Sequence, residues 1–257
     1  MVKLSVVIIT FNEEKNIARC LDSVSTVADE IVVVDSYSTD NTEQICKSYG
    51  VSFVKHGFVD YVNQKNYANS KALHEYILSL DADEVLSKEL KNSVMQAKMA
   101  FDADGYTMNR MTNYAGKWVH HCGWYPDRKM RLFDRRKGKW EGVIIHEQFK
   151  LQEGGRAEHL KGDLLHYSFH SVADQKKQTE IFTTLGAQAD FKKGKKAPYY
   201  KIWLGPVVKF IQSYFIRLGF MDGRTGFIIC YISAGATHTK YRKLRDLYKS
   251  EKKQKSE

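Results

Sequence analysis

Short β-branched apolar runs punctuate the first hundred residues: Leu4 to Thr10, Ile31 to Val34, Val51 to Val54 and Tyr76 to Leu80. Runs of this length and composition predict buried strands. The stretches between them predict helices. One starts at Asn12-Glu13-Glu14, with acids in its first turn, and runs to about Val27. Ser36 to Thr42 is a polar loop that leads into a short helix through Tyr49, with Asp40-Asn41-Thr42 as its cap. Residues 63–73 are helical, and Ser87 caps a helix to about Phe101. Strands alternating with helices predict an α/β fold: a mostly parallel central sheet with helices on both faces. After residue 105 the pattern changes. Aromatic and basic residues interleave from Asn113 to Arg136, and the strands there are expected to be shorter and mixed or antiparallel.

Charge divides the chain in a related way. Residues 1–90 hold 8 Lys and Arg against 14 Asp and Glu, whereas residues 91–257 hold 32 against 16. Acids near a cleft can hold a metal, and a basic half favours phosphate-rich partners or an anionic membrane. The 4 cysteines, Cys20, Cys46, Cys122 and Cys230, form no CxxC pair, so neither a disulfide framework nor a zinc site is expected and a reducing compartment fits. The first apolar run is followed by Asn12-Glu13-Glu14 without a small-residue cleavage pattern, so it is expected to be a strand rather than a signal peptide. The longest uncharged run, Thr225 to Thr239, falls short of the roughly 20 apolar residues that span a bilayer.

Candidate chemistry gathers where strands end. In open parallel sheets, ligands bind beyond the carboxyl ends of the strands. Here those ends read Thr10-Phe11-Asn12, Asp35-Ser36 and Asp81-Ala82-Asp83-Glu84. No glycine-rich loop follows any of them, which argues against a dinucleotide-binding domain and a P-loop ATPase. On extended backbone, Asp81 and Asp83 would project to the same side. Two carboxylates so placed suit a hard divalent ion, Mn²⁺ or Mg²⁺, completed by substrate phosphate oxygens. The structural alternative is an acid-rich helix start. Asp35 is either an acceptor for the N3–H of a uracil or a turn residue.

Together, LSVVIITFNEE (Leu4 to Glu14), IVVVDSYSTDNT (Ile31 to Thr42) and SLDADE (Ser79 to Glu84) resemble the nucleotide-sugar motifs of family 2 glycosyltransferases of the GT-A fold. Trp140 to Glu147 and Gly219 to Phe227 resemble a narrower group, the bacterial lipopolysaccharide-core glucosyltransferases and their relatives. The resemblance implies an inverting transfer of a hexose, with glucose the first candidate, from a UDP-sugar to a glycan or glycolipid hydroxyl. It implies donor contacts at Thr10, Asn12, Glu13, Asp35, Lys65 and Asp81, and metal ligation by Asp81, Asp83 and His166. Lys65 sits in Gln64-Lys65-Asn66, where the alternative is an exposed helix lysine. Without the resemblance His166 would be read as a core histidine. Glu141 and Glu147 are the candidate bases, with Glu147 preferred on the resemblance; after an apolar Val143-Ile144-Ile145 strand it would lie opposite His146. Trp118, Trp124, Tyr125 and Trp140 could stack on sugars, but core packing is the default. The expected organisation is a domain over 1–190, with a nucleotide-sugar half (1–104) and an acceptor half (105–190), and a basic amphipathic helical region over 191–257.

That last region carries seven Lys or Arg and no acid between Phe191 and Met221. On a helical wheel, Lys201, Lys209, Gln212, Ser213 and Arg217 fall on one side. Trp203, Leu204, Val207, Phe210, Ile211, Tyr214, Phe215 and Leu218 fall on the other, with Ile216 the exception, and Pro206 should mark a helix start or a break. Such a helix lies on a membrane surface or packs on the domain. A cytoplasmic protein peripheral to the inner membrane face is therefore expected. Two other readings compete. A sugar-1-phosphate nucleotidyltransferase would need a glycine- and base-rich loop after the first strand, which is missing. A nucleic-acid binder is suggested by the net charge of +10 but opposed by the acidic first half.

Overall fold

The computed structural model describes residues 1–142 and 147–254. The expected Val143-Ile144-Ile145 strand and His146 lie outside the described residues. The chain divides into two compact units: Met1–Met111 with Pro126–Tyr167, and Thr112–Tyr125 with Ser168–Glu257.

The first unit is an α/β sheet. β1 (Leu4–Thr10), β2 (Glu30–Asp35), β3 (Ser52–Lys55) and β4 (Tyr76–Asp81) run parallel in the order β3-β2-β1-β4. β5 (Glu84–Leu86), β6 (Gly105–Tyr114), β8 (Asp127–Asp134) and β11 (Ala157–Phe169) extend the sheet beyond β4 in the order β8-β6-β11-β5. The β4–β8, β6–β8 and β5–β11 pairs are antiparallel. β9 (Gly138–Glu141) and β10 (Gln148–Leu151) form a separate ribbon. The second half is thus antiparallel as expected, but its strands are not shorter: β6 has 10 residues and β11 has 13.

Alternation along β1 sorts the core into two layers. Leu4, Val6 and Ile8 pack with Ile17, Cys20, Leu21 and Val24 of α1 (Ile17–Val24) and with Leu90 and Val94 of α4 (Lys88–Met99). Val7 and Ile9 face the other way, toward Ala68 and Ala72 around α3 (Tyr61–Lys71) and toward Phe133, Trp140 and Phe149. Ser87 caps α4 as expected, accepting from the Leu90 amide. The helix expected from Asn12 begins only at Ile17. Asn12 has φ +54°, a left-handed conformation that asparagine tolerates but a helix does not. Loop 36–42 leads into α2 (Thr42–Ser48), where Asp40 accepts from the amide and hydroxyl of Thr42.

The second unit contains α5 (Val172–Lys192), α6 (Tyr199–Ile211) and α7 (Gly223–Gln254), together with β7 (Lys117–Trp118) paired to the end of β6. Its core joins Tyr114, Val119, Cys122 and Phe169 to Ile229 and Cys230. The expected boundary at 190/191 is corrected: it would cut the last turn of α5, and α5 packs along α7 within this unit. Pro206 is also corrected, because it lies inside α6 rather than at its start or at a break. Proline lacks an N–H, so the carbonyl of Ile202 loses its helical donor. His238 of α7 supplies one, Nδ1 lying 3.0 Å from that oxygen, which requires the Nδ1–H form.

Two expected outcomes follow from these contacts. Replacing His238 with Leu orphans a buried carbonyl and should cost about 1–3 kcal/mol in denaturant unfolding. Pro206→Ala in that background should recover much of the loss by restoring the amide. The second concerns Asp29, which receives Lys98 Nζ at 2.6 Å and the Leu4 amide at 2.8 Å. Burial would raise its carboxyl, but these donors and Lys3 outweigh burial and hold it at about 2. A depressed carboxyl contributes stability above its unfolded value of about 3.9, and the contribution fades as pH falls toward 2. Asp29→Asn should therefore lose about 2 kcal/mol at neutral pH, and the gap from wild type should close between about pH 4 and pH 2.

Candidate active site

Three strand ends meet because their strands are neighbours in the sheet. Thr10 stands in register with Asp35, and Ile9 with Asp81. The loops beyond them interlock. Asn12 accepts from the Thr39 amide at 2.8 Å, its own amide donates to Ser38 Oγ, and Glu14 accepts from the amide and side chain of Asn41. Asp35 is fully buried and closes its own turn, accepting from the Ser38 amide at 2.8 Å and the Ser38 hydroxyl at 2.5 Å. Thr10 Oγ1 is buried and has no hydrogen-bond partner among the described residues.

Asp81 is the most heavily engaged of these residues. Lys65 Nζ lies 2.5 Å from one carboxylate oxygen and Arg131 Nη2 lies 2.7 Å from the other. Arg131 also reaches Glu84 Oε1 at 2.6 Å. Arg110 approaches Glu84 at 3.4 Å and grips Asp127 at 2.7 Å. Glu84 returns a bond from its other oxygen, accepting from the Asp81 amide at 3.0 Å. Burial opposes the charge on Asp81, but Arg131 and Lys65 reverse this and hold its carboxyl far below the usual range. The indole of Trp140 covers the cluster, with the Lys65 ammonium 4.8 Å from the ring centroid. Trp140 itself is buried against Phe133 and Phe149, in agreement with core packing.

Lys65 is therefore not the exposed helix lysine of the alternative reading: its side chain is 0% exposed and it is an ion-pair partner. Its neighbours are engaged as well. Gln64 bridges His56 and Ser36, and Asn66 makes a two-way pair with the backbone of Trp140.

The extended geometry expected of Asp81-Ala82-Asp83 is corrected too. β4 ends at Asp81, Ala82 and Asp83 form a turn, and β5 begins at Glu84. The carboxylates consequently take different partners. Asp83 Oδ2 lies 3.1 Å from His166 Nε2. The β5–β11 ladder sets this pair: His166 stands in register with Glu84, and the Tyr167 amide donates to the Asp83 carbonyl at 2.9 Å. Burial raises the Asp83 carboxyl, but the imidazole overrides it and holds the group below its usual range.

Glu13 lies close by. Burial, then repulsion from Asp83, push its carboxyl up to about 7, although Asn16 donates to it at 2.7 Å. The phenol of Tyr61 is raised by burial and then by Asp81, Glu147, Asp83 and Glu13, so these four carboxylates share one neighbourhood. Glu141 differs. It is 41% exposed, and Lys139 at 3.3 Å and Lys150 at 3.5 Å hold its carboxyl low.

Among the described residues, no group of three or more His, Cys, Asp or Glu is arranged to hold a metal ion. The donor set at Asp83 and His166 suits an ion that takes its remaining ligands from substrate oxygens. Arg131, Arg110 and Glu84 were missed as site members in the sequence. Arg131 lies in a basic, aromatic stretch that looks like solvated surface, and only its neighbours Leu132 and Phe133 hint that it points inward.

A family model described as glycosyl transferase family 2 matches residues 5–151. An uncharacterized glycosyltransferase of Rickettsia typhi is 30% identical over 257 residues, covering 96% of this chain and 88% of that one. The lipopolysaccharide core biosynthesis glycosyltransferase LpsC of Rhizobium meliloti is 28% identical, covering 93% of each. Among solved structures, S. aureus TarS 1–349 aligns over 93% of this chain and 91% of its own, at 17% identity and a TM-score of 0.47. Glucosyl-3-phosphoglycerate synthase of Mycobacterium tuberculosis, crystallised with Mn²⁺, UDP and glucosyl-3-phosphoglycerate, aligns over 44% of each chain at 19% identity and a TM-score of 0.37. These structural overlaps are too loose to bear on ligands.

The buried charges predict a sharp stability effect. Arg131→Leu leaves Glu84 and Asp81 short of a cation and should lower unfolding stability by about 3–5 kcal/mol. Arg131→Lys keeps the charge but cannot span both carboxylates with one rigid fork, so in the same measurement it should recover only part of the loss.

Proposed function

The chain belongs to glycosyl transferase family 2, and on that premise we propose that it moves a hexose from a UDP-sugar, glucose being the first candidate, to a hydroxyl of a bacterial surface glycan or its lipid-linked precursor, with inversion. The observation that carries this reading is the meeting of Thr10, Asp35 and Asp81 at adjacent strand ends, with Asp83 and His166 paired beside them. The acceptor class is supported by the Rhizobium meliloti relative named for lipopolysaccharide core biosynthesis. Neither competing reading, nucleotidyltransferase or nucleic-acid binder, gains support from any relative.

Thr10, Asn12, Glu13 and Asp35 form the nucleoside end of the donor site, where the buried Asp35 serves by holding the Ser38 turn in place. Lys65 serves the donor site by fixing Asp81, since its ammonium is already engaged. Mn²⁺ or Mg²⁺ fits Asp83 and His166, an ionised carboxylate beside an imidazole, with Asp81 behind them as a neutralised wall. The imidazole tilts the choice toward Mn²⁺. When bound, the ion neutralises charge on the departing diphosphate.

Glu147 is the base. It takes the proton of the acceptor hydroxyl while that oxygen bonds to the anomeric carbon, and the bond from that carbon to the diphosphate breaks, releasing UDP. Its place among Tyr61, Asp81 and Asp83 supports it over Glu141, which two lysines occupy at the surface. The four cysteines are free and buried, which suits work in a reducing compartment, at the inner face of the cytoplasmic membrane.

The test is UDP release and transfer across a panel of nucleotide sugars, with and without Mn²⁺. One donor should give metal-dependent UDP release, and Asp83→Ala should abolish it. Glu147→Gln should keep donor affinity while transfer falls by about 10²–10⁴-fold, and Glu141→Gln should leave transfer nearly unchanged. A folded chain that binds no donor at all would sink the reading.

A further inference from the structure

The second unit carries an apolar face that points to solvent. On α6, Trp203 (68% exposed), Leu204, Val207, Val208 and Ile211 are all exposed. At 100° per residue they fall within one arc of the helix. The opposite side is the packed one: Ile202 and Ser213 are buried, Lys209 is half-buried, and a Cβ on Gly205 would touch Thr237 of α7. A helix packed on a domain usually hides its apolar side; here Ile202 and Phe210 go inward but the larger apolar set is left out. The exposed face continues past α6 through Phe215, Ile216 (73% exposed) and Met221 to Phe227 and Tyr231 of α7.

Cations border this face. Lys192, Lys193, Lys195 and Lys196 are exposed just before it, as are Arg217 and Arg224 further on, and residues 191–221 contain no acid. Trp203, Tyr199, Tyr200 and Tyr231 add exposed rings that are apolar in body and polar at the tip, a type favoured where hydrocarbon meets water. No helix among the described residues is long and apolar enough to cross a membrane.

We propose that this face of α6 and the start of α7 is a docking surface for an anionic lipid bilayer, into whose interface α6 lies with Trp203 and Val208 inserted, the exposed Ile216 of the turn after it adding to the contact. Charge decides the occupant. A second copy set face to face would bring two net-basic borders together, where of the four lysines only Lys195 has an acid at hand, Asp190, whereas anionic headgroups neutralise the border while the acyl region takes the apolar side chains. The inference gives the lipid-linked acceptor of the transferase reading a surface on which to be met. It does not depend on that reading, because lipid binding needs no donor.

Vesicle flotation of the full chain tests it, comparing pure phosphatidylcholine with mixtures containing phosphatidylglycerol. Binding should require the anionic lipid and should weaken, without vanishing, as salt is raised. Val208→Asp with Ile216→Asp, both at exposed positions, should cut binding at least about tenfold while leaving UDP release from the donor unchanged. Lys193→Glu with Lys196→Glu should remove most of the preference for anionic lipid. Failure to float with anionic vesicles at low salt overturns the proposal. So does binding that the aspartates leave untouched, or a dimer in sedimentation equilibrium that the same aspartates dissociate. Loss of donor turnover with intact flotation would count against the transferase reading alone.

Discussion

The first unit is organised around a carboxylate that cannot be left alone. Asp81 closes the central strand β4, and its two oxygens are met by Lys65 from α3 and Arg131 from β8. A buried carboxylate is costly unless each lone pair finds a donor. The sheet meets that demand by recruiting charge from elements far apart in the chain, and the same demand passes on to Glu84, Arg110 and Asp127. Helix α3, the parallel strand β4, the short β5 and the antiparallel β8 and β6 are thereby tied at one edge. Pair by pair, such a network adds little net stability over an apolar core. Its value lies in geometry, since each charge has one place to go.

That geometry bears directly on catalysis. Asp81 is paired with two cations, whereas the nearby Asp83 meets an imidazole and Glu13 a side-chain amide. Asp83 is held ionised by His166, while Glu13 is pushed up to about 7 by burial and by Asp83 itself. Neighbouring carboxylates are thus driven to different protonation behaviour, the kind of divergence that acid–base sites use. The turn at Ala82 and Asp83 makes the separation possible, because it sends consecutive acids to different partners.

The second unit follows another logic. Its packing draws on Ile202 and Phe210 of α6 beside the polar Lys209 and Ser213, and on close approaches such as Gly226, where a Cβ would come within 1.9 Å of the Gly219 carbonyl. Trp203, Leu204, Val207, Val208 and Ile211 are left outward. His238 repairs the helical hydrogen bond that Pro206 removes, so the Ile202 carbonyl is not left without a donor.

Much of the first unit was legible in the sequence because it rests on local pattern. β-branched runs fixed β1, β2 and β4 to within a residue, Ser87 marked the start of α4, and the acids at the ends of β2 and β4 were read where adjacent strands do finish. A wheel also separated the two sides of α6. What tertiary structure alone decided was direction and partnership. Nothing in the local pattern says that Lys65 is buried, that Arg131 rather than a solvated surface receives Asp81, or that His166 meets Asp83 across the β5–β11 ladder. Nor could the wheel tell which side of α6 faces inward. Periodicity records which residues share a face, and local hydrogen bonding records where elements start and stop. Which face is buried, and which distant charge balances a buried one, depends on long-range packing that no window of the sequence contains.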